Sequence, residues 1–175
     1  MTDQPRVLLF TGEGKGKTTA ALGMAMRAVG HGMRVKVIQF IKADTKTGEL
    51  ATADMIENLE IIQTGCGFVP PADSPRFAEH REAAKVGFAL AKREVHSGKY
   101  PLVVLDEICL AVSRHLIDEG DVLDLIDELP EGIRLVLTGR QAPTGLIEAA
   151  DTVSNIECVK HAMDLGRSAE KGVEW

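Results

Sequence analysis

The fold of this protein is decided near the start of the chain, where residues 7–19 read VLLFTGEGKGKTT. The apolar residues predict a β-strand, the glycines predict a tight turn, and the alanine-rich sequence that follows predicts a helix. Backbone N–H groups of such a turn can point toward one centre, where the N-terminal end of the helix adds positive charge. Lys17 supplies a further charge, and the Thr18 hydroxyl can bind Mg²⁺. We therefore predict a phosphate-binding loop.

The glycine spacing of this loop is unusual. The common pattern has a glycine five residues before Gly16, but this chain has Thr11 there, and its first glycine is Gly12. The predicted strand before the loop and the helix after it supply the context that the pattern requires. The residues expected to contact ATP in the loop are Gly12, Glu13, Gly14, Lys15, Gly16, Lys17, Thr18 and Thr19.

Length and charge restrict the class of protein. The chain has 175 residues, a length that favours a single domain spanning residues 1–175 with a core that needs no disulfides. Its net charge of -6 and its lack of a basic run argue against general binding to nucleic acid or to an anionic membrane. The sequence also shows no basic-then-apolar leader and no apolar run long enough to span a bilayer, so we expect a cytoplasmic protein.

The cysteines and histidines form no recognisable metal-binding pattern. Cys66, Cys109 and Cys158 are isolated from one another, and the five histidines are scattered. Cys109 and Cys158 lie in apolar runs and are predicted to be core residues.

Short runs rich in Val, Ile and Leu alternate with helical patterns along the chain. With the phosphate loop, this alternation predicts a three-layer, P-loop NTPase-like (RecA-like) α/β fold with a mostly parallel central sheet of about six strands. The predicted strands cover residues 7–11, 34–40, 59–63, 102–105, 133–138 and 152–158. The clearest helices are predicted from Thr18 to Val29 and from Ser74 to Gly98, the second with an apolar stripe at Phe77, Ala84, Phe88, Ala91 and Val95.

Polar residues follow most of the predicted strands. Because the carboxyl ends of parallel strands meet at one edge of the sheet, these residues are expected to form one composite site. They include residues 39–42, 64–68, 106–107, 138–140 and 160–161.

Asp106 and Glu107 end an apolar strand, a pattern that holds Mg²⁺ opposite a phosphate loop. Because Mg²⁺ prefers oxygen ligands, Thr18, Asp106 and Glu107 are the candidate metal ligands. In many ATPases the second carboxylate instead orients a hydrolytic water, and the sequence leaves this alternative open. Arg140 is a candidate ATP contact by analogy with arginine fingers, with an exposed loop arginine as the alternative.

Taken together, these segments resemble the ATP:corrinoid adenosyltransferases. The similarity covers the phosphate loop with its shortened glycine spacing, residues 39–42, 65–68, 106–107 and 138–140, and the tail from residue 160 to residue 174. The resemblance implies transfer of the 5′-deoxyadenosyl group of ATP to the Co(I) centre of a reduced corrinoid, with triphosphate as the leaving group. The acceptor would be cob(I)alamin, a cob(I)inamide-type corrinoid or cob(I)yrinic acid a,c-diamide, in adenosylcobalamin biosynthesis or salvage. Mg²⁺ as cofactor, a homodimer and a flavin-dependent reductase are also implied.

The resemblance also implies roles for individual residues. Since Co(I) is already a strong nucleophile, no acid–base residue is expected, and Lys15 and Lys17 are expected to stabilise the leaving triphosphate electrostatically. Gln39, Lys42 and Phe68 are expected to contact the corrinoid, although core packing is an alternative for Phe68. Some relatives have a tryptophan shortly after this phenylalanine, where this chain has residues 69–71, VPP. The tail, residues 160–175, is expected to fold over the site or over a partner subunit.

Two other classes of function remain compatible with a phosphate loop. One is a P-loop ATPase or small-molecule kinase, although a kinase usually needs a base for the accepting hydroxyl, and a thymidine-kinase-like protein would bring paired zinc-binding cysteines. The other is a nucleotide-switched binding module. The products of ATP distinguish the three: triphosphate, diphosphate with phosphate, or none.

Overall fold

A six-stranded parallel sheet forms the centre of the molecule in this computed structural model, which describes residues 4–174. The strands are β1 (Arg6–Thr11), β2 (Val35–Gln39), β3 (Leu59–Gln63), β4 (Leu102–Asp106), β5 (Arg134–Thr138) and β6 (Thr152–Asn155). Their order is β3-β2-β4-β5-β1-β6, and every hydrogen-bonded pair is parallel. The predicted α/β fold and strand number are confirmed.

Helices cover both faces of the sheet. They are α1 (Lys17–Gly30), α2 (Gly48–Ala53), α3 (Phe77–His96), α4 (Ile108–Ser113), α5 (Glu119–Asp127) and α6 (Thr144–Ala149), followed by a short 3-10 helix (Ala162–Leu165). Within residues 4–174, none of them has the length and apolar character needed to cross a membrane.

The central strands β4 and β5 are largely apolar on both sides because each face of the sheet packs against helices there. In β4, Leu102 and Val104 pack in the cluster on the α1 side, whereas Val103 and Leu105 pack in the cluster on the α3 side. Small side chains let α1 lie close to the sheet, and Ala21, Ala25 and Ala28 are its buried apolar residues. The apolar stripe predicted for α3 is buried at Ala84, Phe88, Ala91 and Val95, with Phe77 partly buried.

The last strand is shorter than the sequence pattern predicts. The prediction extended it to residue 158, but β6 ends at Asn155. The backbone of Ile156 instead accepts a hydrogen bond from Gly14 N at 2.7 Å, so the chain leaves the sheet to pair with the phosphate loop. The prediction that Cys158 is a core residue is wrong for this reason, because Cys158 is exposed, whereas Cys109 is buried as expected.

A charged cluster links the edge strand β3 to its neighbours. The Glu60 carboxylate accepts hydrogen bonds from Arg34 and Lys36 at 2.9 Å and from the Tyr100 hydroxyl at 2.8 Å. The bond from Lys36, with those from Tyr100 and Arg34, lowers the pKa of Glu60 to about 2, although burial opposes the shift. Burial and the neighbouring Glu60 carboxylate raise the pKa of Tyr100 to about 12. Lys36 is only 4% exposed, so this ion pair with Glu60 is largely shielded from solvent on the lysine side.

Candidate functional site

The phosphate loop lies between β1 and α1, and two of its glycines are required by close packing. A Cβ atom on Gly12 would lie 2.4 Å from Ile156 O, and one on Gly14 would lie 2.5 Å from Glu157 O. Atoms of a folded protein do not approach this closely without displacement of the backbone. The glycines therefore let the loop pack against the chain after β6, a function that the loop pattern does not reveal.

Lys17 is buried inside the loop. Its Nζ donates hydrogen bonds to Gly12 O and Gly14 O, both at 2.7 Å. Burial lowers the pKa of this ammonium, as does the positive charge of Arg140, while Glu107, Glu13 and Asp106 act in the opposite direction. In this structure Lys17 stabilises the first half of the glycine-rich turn by binding the carbonyls of Gly12 and Gly14.

Asp106 is the centre of the polar contacts at the end of β4. Its Oδ1 accepts hydrogen bonds from Thr18 Oγ1 and Thr138 Oγ1, both at 2.7 Å, and its Oδ2 accepts one from Gln39 Nε2 at 3.1 Å. The side chain is almost fully buried, with 1% of the residue exposed. Thr18 and Asp106 thus bring a hydroxyl and a carboxylate oxygen together beside the loop, which are ligands that Mg²⁺ prefers.

Glu107 has an unusual backbone and an unpaired side-chain atom. Its φ is +63°, in the left-handed region that costs a non-glycine residue about 1 kcal/mol or more. Its amide donates to Thr138 Oγ1 at 2.9 Å. Among the described residues, its buried Oε2 has no hydrogen-bond partner. Burial raises the pKa of Glu107, as does the charge of Asp106, against Lys17, Arg140 and Lys42.

A cavity of about 530 Å³ opens above the phosphate loop. Lys42, Glu49, Glu107 and Arg140 line it opposite the loop, and the tail contributes His161, Gly172, Val173 and Glu174. Lys15 Nζ donates to Val173 O at 2.6 Å and lies 3.7 Å from the Glu174 carboxylate. Arg140 lies 3.6 Å from the Glu13 carboxylate. The tail therefore contacts the loop through Val173 and Glu174, and Trp175 lies outside the described residues.

A second and larger cavity, of about 880 Å³, adjoins the first. Its apolar lining comes from Ile41, Phe68, Val69 and Leu110, and Glu13, Lys42, Asp44, Glu107, Arg114 and Arg140 add charge. Lys42, Glu107 and Arg140 line both cavities, so the two spaces have a common wall.

The glycine-rich segment after β3 holds Phe68 at the second cavity. A Cβ atom on Gly65 would lie 2.3 Å from Ile41 O, and Gly67 N donates to the same carbonyl at 2.8 Å. Phe68 follows this anchored turn and is 99% exposed. The alternative that Phe68 packs in the core is therefore wrong.

The structure brings most of the predicted site residues together but places Gln39 differently. Loop residues 14–19, Glu107, Arg140 and Lys42 line the first cavity, and Asp106 lies buried behind Thr18. Gln39 was predicted to contact the corrinoid, but it is 0% exposed and its amide is hydrogen-bonded to other side chains. The physical reason is that Gln39 is the last residue of a strand buried between two neighbours.

Glu49 was not predicted from the sequence as a site residue. It lines the first cavity, and its Oε1 accepts hydrogen bonds from Gln39 Nε2 at 3.3 Å and from Lys42 Nζ. Burial would raise the pKa of Glu49, but the hydrogen bonds, foremost that from Lys42, lower it. Its position in the first turn of a short helix with no buried residue carries no sequence signal that would identify it.

This sheet order, with a phosphate loop after β1 and carboxylates at the end of β4, defines a P-loop NTPase-like fold. A solved structure with the same fold is that of a KaiC-like protein from the hyperthermophilic archaeon Pyrococcus horikoshii. The match has a TM-score of 0.58 at 19% sequence identity and covers 89% of this chain and 72% of that chain.

The family to which the chain belongs is that of the ATP:corrinoid adenosyltransferases (BtuR/CobO/CobP), whose model matches residues 3–175. A corrinoid adenosyltransferase from Pseudomonas aeruginosa is 40% identical over 171 residues, which are 97% of this chain and 83% of that protein. One from Escherichia coli K12 is 36% identical and covers 97% of this chain and 85% of that protein. The resemblance seen in the sequence is thereby confirmed.

Proposed function

We propose that this protein transfers the 5′-deoxyadenosyl group of ATP to the Co(I) centre of a reduced corrinoid and releases triphosphate. Family membership supports the reaction class. The observation that carries the proposal is the common wall of the two cavities, formed by Lys42, Glu107 and Arg140. Direct transfer between two large substrates needs adjoining sites, whereas hydrolysis of ATP needs only the nucleotide site.

The smaller cavity is proposed to hold the triphosphate of ATP. The electron pair of Co(I) attacks carbon 5′ and forms the bond between cobalt and carbon. The bond between carbon 5′ and its oxygen breaks, triphosphate leaves with the electron pair of the broken bond, and cobalt becomes alkylated Co(III). The loop N–H groups, Lys15 and Lys17 would stabilise the charge that gathers on the leaving group. Catalysis is then positioning and electrostatics, with no side chain needed as a base.

Mg²⁺ is the proposed cofactor, and the residues present fit it. Thr18 and Asp106 place two hard oxygen atoms 2.7 Å apart beside the loop, and Glu107 has a buried unpartnered oxygen nearby. Within residues 4–174 there is no group of three or more His, Cys, Asp or Glu side chains that could hold a metal. Mg²⁺ commonly takes one or two carboxylates and completes its shell with phosphates and water. Bound there, it would neutralise phosphate charge.

The larger cavity is proposed to hold the corrinoid. Its size and its apolar residues Ile41, Phe68 and Leu110 suit a flat macrocycle, and its charged rim suits polar side groups. Phe68 and Lys42 would contact the corrinoid directly. Gln39 would affect corrinoid binding indirectly, through Glu49, which holds Lys42.

We also propose that the protein is a cytoplasmic homodimer and that a flavin-dependent reductase supplies electrons to the corrinoid. Exposed apolar side chains in the tail and just before it support a partner subunit there, since Met163 and Leu165 are 71% and 61% exposed and Val159 is 92% exposed. Sedimentation analysis of the purified protein tests the dimer.

The test of the reaction is a product analysis with chemically reduced cobalamin, so that no reductase is needed. We expect triphosphate and an adenosylated, light-sensitive corrinoid in equal amounts. Diphosphate or phosphate as the product of ATP would instead identify a kinase or ATPase. Bound ATP without turnover would identify a nucleotide-switched binding module.

A further inference from the structure

The side chain of Gln39 connects three other side chains in the interior. Its Nε2 donates to Asp106 Oδ2 at 3.1 Å and to Glu49 Oε1 at 3.3 Å, and its Oε1 accepts from Gln63 Nε2 at 3.0 Å. We propose that Gln39 is a positioning residue for the phosphate and metal site. It holds the Asp106 carboxylate so that the other oxygen faces Thr18.

Chemistry determines which way the Gln39 amide is turned. An ionised carboxylate accepts hydrogen bonds but donates none, so the NH₂ group of Gln39 must face Asp106 and Glu49. The Gln39 oxygen then needs a donor, and the NH₂ group of Gln63 supplies it. This leaves Gln63 Oε1 buried without a partner, which is an unfavourable arrangement. The two carboxylates impose the orientation in spite of this cost.

The two oxygens of the Asp106 carboxylate are held by different donors. Two threonine hydroxyls hold Oδ1, whereas Gln39 donates the one hydrogen bond found at Oδ2 among the described residues. Without that donor, a buried carboxylate oxygen would be left unpaired, and the carboxylate would turn away from its present position beside Thr18. Groups that orient metal ligands in this way typically change metal affinity by about 10-fold to 100-fold when they are removed.

The first test is a calorimetric titration of Gln39→Leu with ATP, with and without Mg²⁺ and without corrinoid. We expect affinity for ATP with Mg²⁺ to fall about 10-fold or more. Affinity without Mg²⁺ should stay within about threefold, because Gln39 does not line the cavity. The inference rests on the proposed function only in placing ATP in the loop, and the titration needs no adenosyl transfer. Failure of adenosylation would thus refute the proposed function without altering this result.

A matched pair of variants at Gln63 tests the orientation while leaving Gln39 in place. Gln63→Glu puts an acceptor against the Gln39 oxygen, so the amide must turn and present its oxygen to Asp106. We expect the same loss of Mg²⁺-dependent affinity as for Gln39→Leu. Gln63→Leu removes the donor only, and the two carboxylates still orient the amide, so affinity should stay within about threefold of the original protein.

Two outcomes would overturn the inference. In one, Gln39→Leu and Gln63→Glu bind ATP with Mg²⁺ as tightly as the unaltered protein does. In the other, every loss is equal with and without Mg²⁺, which would mean that Gln39 only supports the cavity structurally. Thermal unfolding of each variant is measured alongside. Because Gln63 is half-buried on an edge strand, its two variants keep the test valid if Gln39→Leu does not fold.

Discussion

Thr18 Oγ1 and Asp106 Oδ1 lie 2.7 Å apart although 88 positions separate the two residues in the chain. The sheet order explains the contact, because β5 lies between β4, which ends in Asp106, and β1, which leads to the loop. Thr138 at the end of β5 donates to the same oxygen at 2.7 Å and fills the space between them. Residues at or just beyond the ends of three neighbouring strands, β4, β5 and β1, thus meet at one carboxylate.

Replacement of this carboxylate should disable the metal site. For Asp106→Asn we expect kcat/KM for adenosylation to fall about 100-fold or more, because an amide is a poor Mg²⁺ ligand. Steady-state rates over a range of Mg²⁺ concentrations measure the effect, and Asp124→Asn on the exposed side of α5 is the control. If the double variant Asp106→Asn, Glu107→Gln keeps an unaltered Mg²⁺ dependence, the metal assignment is wrong.

Lys17→Ala should abolish detectable activity while the protein still folds. The substitution removes the positive charge that would stabilise the triphosphate. It also removes the hydrogen bonds from Lys17 to the carbonyls of Gly12 and Gly14. We expect a rate decrease of at least about 1,000-fold, since both effects act on the same loop. Lys85→Ala on α3 is the matched control. Unchanged ATP affinity and turnover would contradict the phosphate-loop assignment.

Phe68→Ala should weaken corrinoid binding without destabilising the protein. Because Phe68 is 99% exposed, its loss should change the free energy of unfolding by less than about 0.5 kcal/mol. We expect the KM for the corrinoid to rise about 10-fold while the KM for ATP stays nearly constant. Met55→Ala, at a 78% exposed position outside both cavities, is the comparison. An equal increase in both KM values would argue against a corrinoid contact.

Truncation after Cys158 tests the tail. The removed segment includes Val173 and Glu174, which contact Lys15 and line the nucleotide cavity. We expect the truncated protein to keep its fold, to bind ATP more weakly and to lose adenosyltransferase activity. Circular dichroism, ATP titration and sedimentation measure the three properties. A full rate with an unchanged oligomeric mass would show that the tail has neither function.

Acid should remove the stabilising contribution of Glu60. Its pKa is about 2 in the folded protein against 4.5 ordinarily, so the contribution is complete above about pH 4.5 and is lost as the pH falls toward 2. Glu60→Gln should therefore lower the urea midpoint of unfolding at neutral pH, and the difference from the unaltered protein should shrink at about pH 3. Glu131→Gln, at an exposed loop position, is the control. A difference that stays constant with pH would contradict the role of the Glu60 charge.

The sequence alone was sufficient to predict the sheet, the loop and the carboxylates after β4. Central parallel strands are apolar on both faces, so runs such as residues 102–105 are recognisable without a structure. Since parallel strands have their carboxyl ends at one edge, the chain order alone indicated that Asp106 and the loop share that edge. The predicted apolar stripe on α3 was also confirmed, because the spacing of apolar residues along a helix can be recognised within the segment itself.

Only the tertiary structure decided which of the polar residues at that edge reach the cavities and which become internal. Gln39 ends a strand that lies between β3 and β4. Its amide is therefore hydrogen-bonded to Asp106 and Glu49 and is not available to a ligand. The packing of Gly14 against Glu157, and with it the early end of β6, depends on a contact between distant segments. Such contacts follow from strand order and close packing, which no local pattern of residues encodes.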